Sequence, residues 1–207
     1  IPSDAALEWT VDRARRTRLS VEVLTVVNTD RLFLDEVVEP LMLAGEQVLH
    51  HAGDRLREVL DESSFRTYLA TGSPAREILY AADGRDLVVV GTGNATRRPV
   101  FHHASMAIRI ASTSQADVVV VPAGSDEQVA APHVVVGVQG NGEDWPTIDI
   151  AVREARLLGA SLELVHSWEQ PSASWIAAVS SVDLAPYAAE KEHLFDGIVA
   201  QTRDLNP

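Results

Sequence analysis

The sequence predicts an α/β protein of parallel strands and covering helices, built as two related copies. Three observations carry that expectation. Short Val-rich runs alternate with amphipathic segments of helical spacing along the chain. The run at 87–90 is apolar without alternation, as a strand covered on both faces of a parallel sheet is. A shift of 141 positions carries Val11, Ala14, Arg15, Ser20 and Glu22 onto Val152, Ala155, Arg156, Ser161 and Glu163, so a helix–strand unit occurs twice.

The elements follow in order. Residues 3–16 place Ala6, Leu7, Val11 and Ala14 on one helical face, with Ser3 as N-cap. Residues 19–27, with Val21, Val23, Leu24, Val26 and Val27, read as a strand. Helical spacing returns over 37–60 through Val38, Leu41, Met42, Leu49, Leu56 and Leu60. Residues 65–70 form a second strand, ended by Gly72-Ser73-Pro74. Pro74 suits the first turn of a helix through Ile78 and Ala82 that stops near Gly84. Leu87, Val88, Val89 and Val90 are too short and too β-branched a run for a helix. Gly91-Thr92-Gly93-Asn94 then turns the chain, and a polar loop carries Arg97 and Arg98. Ser105 is placed to cap a helix built from Met106, Ile108, Ile110 and Ala111. The strand at 117–121 is closed by Pro122.

Residues 123–131 are small and polar, a linker by composition. It separates a first copy at 3–122 from a second at 132–207. The second copy opens with a buried strand from His133 to Val138 and turns through Gln139-Gly140-Asn141 into the repeated helix. The counterpart of that strand in the first copy would fall upstream of Ile1. The counterpart of the Gly-rich loop in the second copy would fall beyond Pro207.

Composition narrows the class of function. A chain of 207 residues has room for one large domain or two small ones, and 46% hydrophobic content supplies an ordinary core. Thirty acidic residues against 17 basic ones give a net charge of −13, which repels nucleic-acid phosphates and anionic membranes. No apolar run is long enough to span a bilayer, and no signal-peptide pattern opens the chain. The absence of cysteine removes disulfides and thiolate metal sites and fits a reducing compartment. The expectation is a cytoplasmic protein with no nucleic-acid or membrane partner.

The chemistry concentrates at residues 91–106. Strand, Gly-rich loop and helix N-terminus aim free N–H groups and the helix dipole at one place, an arrangement that suits an anion. The same residues also read as a simple strand-to-helix turn. Arg97 and Arg98 could pair with phosphate or be solvated on the loop. The His50-His51 and His102-His103 pairs do not chelate a metal alone, because neighbouring helical residues point about 100° apart. No Ser–His–Asp order, nucleophile elbow, Walker A lysine or paired catalytic carboxylate can be picked out. The expectation is therefore no dedicated enzyme and no metal site.

The spacing from Gly91 through position 94 to positions 104 and 105 resembles the G-x2-G-x9-G-[S/T] signature of the universal stress protein family. Asp-Leu-Val-Val-Val-Gly at 86–91, Ala-Asp-Val-Val-Val-Val-Pro at 116–122 and the Gly72–Pro74 turn resemble further family landmarks in the family's order. Ala-Leu-Glu-Trp at 6–9 and Glu-Ala-Arg at 154–156 resemble tandem members. The resemblance implies an adenine nucleotide alpha hydrolase-like fold, with a five-stranded sheet of order 3-2-1-4-5 and helices on both faces. It implies a regulatory role in stress response. It also implies an ATP site formed by Gly91, Thr92, Gly93, Asn94, Ala104, Ser105 and Met106, with Val26 against the adenine.

Asn94 and Ala104 stand where the signature has glycines, so the implied site is degraded and its ATP binding weak or absent. The family's adenosine-contacting Asp follows the first strand. The first copy shows no such position, and the second has Gln139 there, with Ser167 at the counterpart of Val26. In the family order the missing strand is the central one, so the first copy should present two half-sheets with unpaired edges. A fragment of a longer protein accounts for this. Alternatively the strand from His133 to Val138 fills the gap, reached by a linker of about ten residues that spans roughly 30 Å. Val118, Val119, Val120 and Val121 form an apolar edge strand and imply a homodimer. Two other classes of function stand beside the nucleotide-binding one: a nucleotide-free dimerisation module and a slow nucleotide hydrolase.

Overall fold

The first core forms where α1 (Asp4–Arg16) crosses β1 (Val21–Val27). A computed structural model describes residues 4–30, 35–92, 102–123, 132–168 and 185–205. Helix α1 turns Ala6, Val11 and Ala14 inward, the face that its 3.6-residue spacing marks. Val11 and Ala14 meet Val21 of β1 and Leu56 of α2 (Val38–Arg57), and Val23 and Phe65 pack around them. The position of Ser3, expected as N-cap, lies outside the described residues. Leu19, expected at the start of β1, stays outside the strand and exposed.

Helix α2 lies close on its strands because Gly45 permits it. A Cβ at that position would sit 2.6 Å from Leu69 Cδ1 and 3.4 Å from Thr25 Cγ2. The helix ends at Arg57, short of Leu60, where the N–H groups of Val59 and Leu60 both donate to the Leu56 carbonyl. Arg55 forks onto Glu8 of α1 at 2.9 and 2.7 Å and also pairs with Glu58. The hydrogen bond from Arg55 holds the Glu8 carboxyl below its usual range. Both side chains keep contact with water, so this pair orients the two helices more than it stabilises them.

The strands pair in parallel twos. β1 runs beside β2 (Phe65–Thr71), with Val21 opposite Phe65 and Val27 opposite Thr71. Helix α3 (Pro74–Ala82) begins on the proline and gives way to Gly84 at φ +68°. β3 (Leu87–Gly91) runs beside β4 (Asp117–Val121), with Gly91 opposite Val121. Helix α4 (His102–Thr113) connects them and buries Ala107 and Ile110 against Val90. The sheets β1–β2 and β3–β4 are separate, and no strand among the described residues joins them.

Two expectations are corrected here. Leu87, Val88 and Val89 are only half-buried, and Val90 alone is fully buried, because β3 has one strand partner among the described residues. Ser105 is not the N-cap of α4, which starts at His102. Nothing in His102-His103-Ala104 breaks a helix, and alanine is the best helix former, so the helix extends back through Ser105.

The chain divides into two units, Ile1–Glu127 and Gln128–Pro207. The second holds β5 (His133–Val138), α5 (Trp145–Leu158), β6 (Ser161–His166) and α6 (Ala185–Leu205). β5 and β6 pair in parallel, His133 opposite Ser161, and β5 has no other strand partner among the described residues. Val152 and Ala155 of α5 are buried, as Val11 and Ala14 of α1 are. Val136, Val138, Ile148, Ala151, Val152 and Ile198 of α6 form this unit's core. Gly159 closes α5 in the left-handed conformation at φ +61°.

Candidate functional site

Parallel pairing brings the carboxyl ends of paired strands to one side, which is where α/β sheets hold ligands. At the end of β1–β2 lie Val26, half-buried and opposite Ala70, and Gly72, whose N–H donates to the Val27 carbonyl at 3.0 Å. Gly72 adopts φ +130°, a conformation that only glycine takes without strain. At the end of β3–β4 lie Gly91 and Thr92. The Thr92 N–H donates to the Val121 carbonyl at 3.0 Å, and its Oγ1 accepts from the Ala123 N–H at 3.3 Å. That backbone donor is committed to β4.

Met106 packs against the cluster of Val90, Ala107 and Ile110. The backbone of Ala104 and Ser105 lies in the first turn of α4, and the Ala104 amide is among those at the helix start that lack helical partners. Gly93 and Asn94, with Arg97 and Arg98, lie outside the described residues. So Gly91 and Thr92 lie at the carboxyl end of β3, Met106 packs against the cluster that includes Val90 of the same strand, and Val26 lies near the carboxyl end of β1.

The second unit holds a site that sequence reasoning passed over. After β5 the N–H groups of Gln139, Gly140 and Asn141 all donate to the Asp144 carboxylate, at 2.9, 2.8 and 2.9 Å. Asn141 Oδ1 accepts in turn from the Glu143 N–H at 2.9 Å. The signal was present as Asn141-x-x-Asp144, the spacing of a reciprocal cap. Burial raises the Asp144 pKa, but the three backbone donors and the nearby His166 outweigh it and hold the carboxyl below its ordinary range.

His166 covers this turn. Its Nδ1–H donates to the Val138 carbonyl at 2.9 Å, and its ring stacks on Phe195 with centroids 5.8 Å apart. Nε2 is buried without a partner among the described residues. Gly140 sits under the ring at φ +83°, and a Cβ there would lie 3.3 Å from the imidazole. Elsewhere, His50 lies 3.6 Å from Asp54 one turn along α2. No three His, Asp or Glu side chains gather as metal ligands among the described residues. None of the described helices is long and apolar enough to cross a membrane.

Comparison with known proteins accords with this architecture. A universal stress protein from Archaeoglobus fulgidus DSM 4304 has a similar fold, with a TM-score of 0.64 at 16% identity, over 91% of this chain and 69% of that one. Universal stress protein UspA from Lactobacillus plantarum aligns at 21% identity with a TM-score of 0.44, over 58% of this chain and 89% of its own. A universal stress protein solved in complex with cAMP aligns at 22% identity with a TM-score of 0.42, over 58% and 90%. No curated protein matches the chain. The family model described as Universal stress protein family matches residues 1–122, more than half of the sequence. The chain therefore belongs to the universal stress protein family.

Proposed function

We propose that this chain is a cytoplasmic regulatory protein of stress response, without dedicated catalysis, whose first unit carries a weakened adenine-nucleotide site. The two units are tandem copies, 3–122 and 132–207, joined by the linker 123–131. The observation that carries the nucleotide reading is the Gly91–Thr92 end of β3 leading toward the first turn of α4. Phosphates would lie over Gly91, Thr92, Gly93 and Asn94 and reach the first turn of α4 at Ala104 and Ser105. Val26 would line the adenine pocket, with Met106 close by.

The weakness has identifiable causes. The Thr92 N–H is already bonded to β4. Asn94 tolerates positive φ better than other non-glycine residues and keeps the turn accessible. Ala104 adds a Cβ where the family has none. A lost hydrogen bond costs about 0.5–1.5 kcal/mol, and up to about 3 with a charged partner, so one or two lost contacts weaken binding about ten- to a hundredfold. Titration calorimetry with ATP is expected to show weak or undetectable binding to the unmodified chain and a gain in Ala104→Gly. Tight binding by the unmodified chain, or no gain from the glycine, overturns this account.

A nucleotide-free dimerisation role has its own support in β4. Among the described strands β4 pairs only with β3, and Val120 is 39% exposed on it. An apolar strand with an open edge favours pairing with another strand. We expect sedimentation at micromolar concentration to give a homodimer, and a Val120→Lys variant to dissociate it. A monomer across that range counts against the interface at Val118, Val119, Val120 and Val121.

A further inference from the structure

We propose that Asp144 is a built-in anion that fills the backbone nest of the β5–α5 turn, so that unit 2 is closed to phosphate and nucleotide ligands at that turn. Three successive N–H groups converging on one point are the means by which strand-to-helix turns bind phosphate. Here all three, from Gln139, Gly140 and Asn141, end on the two oxygens of one carboxylate at 2.8–2.9 Å. Asp144 is 8% exposed and already occupies the three donors, so an incoming anion would meet a like charge there and be repelled.

The turn is also closed from above. The His166 ring, fixed by the Val138 carbonyl and by Phe195, lies so near Gly140 that even a Cβ would come within 3.3 Å. The 141-position shift carries Asp144 onto Ser3, which bears no charge, so the first copy has no equivalent carboxylate in its sequence. The closure of the turn stands on the geometry of unit 2 alone. Only its corollary, that any nucleotide is confined to unit 1, rests on the function proposed above.

The test follows the amides of residues 139–141 by NMR in the full chain while inorganic phosphate is added. In the unmodified protein they are expected to stay protected from exchange and unmoved. In Asp144→Ala they should lose protection and shift saturably with phosphate. Asp144→Asn, which keeps the side-chain shape without the charge, is expected to speed their exchange by about tenfold or more, as loss of roughly 1.4 kcal/mol of local protection would. It decides the matter if the alanine variant fails to fold. Phosphate-dependent shifts in the unmodified protein overturn the proposal, and so do amides that remain protected in the folded variant. Failure of unit 1 to bind ATP would alter neither outcome.

Discussion

Truncation of Leu56 to alanine is expected to destabilise unit 1 by about 2–5 kcal/mol, the range for a large aliphatic side chain deleted from a packed core. Leu56 is 0% exposed and sits where α1, β1 and α2 meet, touching the cluster of Val11, Ala14 and Val21. Val11 and Ala14 are held by α1 and Val21 by β1, so none can move inward to fill the space without disturbing its own helix or strand. Ile148→Ala makes the corresponding void in unit 2, where the side chain is 1% exposed against Val136, Val138 and Ile198. Shifts in the urea midpoint at unchanged slope would measure both losses. A loss below about 1 kcal/mol at either position would show that the core had been assigned to the wrong residue.

The second large effect belongs to Asp144. Replacing it with alanine leaves three loop amides without their acceptor, and hydrogen bonds to a charged group contribute about 1.5–3 kcal/mol each before water refills the site. A net loss of about 2–4 kcal/mol from unit 2 is expected. The effect depends on pH in a definite direction. The folded carboxyl titrates below its unfolded value, because the donors of Gln139, Asn141 and Gly140 and the nearby His166 outweigh burial. Its contribution is therefore complete above the unfolded pKa, near about 3.9, and disappears as pH falls through the folded one. Melting temperatures from pH 7 down to 2.5 should show the unmodified protein and Asp144→Asn well apart at neutrality and converging in acid. Parallel profiles across that range would rule out a charged Asp144 as the centre of the turn.

Those two sites differ in how far they can be read from the chain. Leu56 announces itself, since Leu49, Leu56 and their helical neighbours repeat at a spacing that allows one face to be buried. Gly45 does not. A glycine inside a helix reads only as a weak helix former, and its purpose appears once Leu69 and Thr25 are seen beneath it. Ser105 misled because a serine before apolar residues resembles an N-cap, whereas helix propensity carried α4 back to His102. The Val-rich run of β3 suggested cover on both faces. How much cover a strand receives depends on its neighbours, and β3 has only β4 among the described strands.

What the sequence determined by itself is whatever depends on local periodicity and on repetition. The order of helices and strands, the inward faces of α1 and α5, the start of α3 on Pro74 and the glycine signature that places the chain in its family are of this kind. Tertiary structure decided what depends on distant groups arriving at one point. In the text of the chain Asp144 shows only as the fourth residue of a reciprocal-cap spacing that begins at Asn141. It becomes the anchor of a turn only when Gly140 takes φ +83° and swings three amides toward it, and when β6 sets His166 over them. Periodicity is set by neighbours a few residues away, whereas such convergence is set by strand register and backbone conformation together, and one-dimensional spacing carries neither.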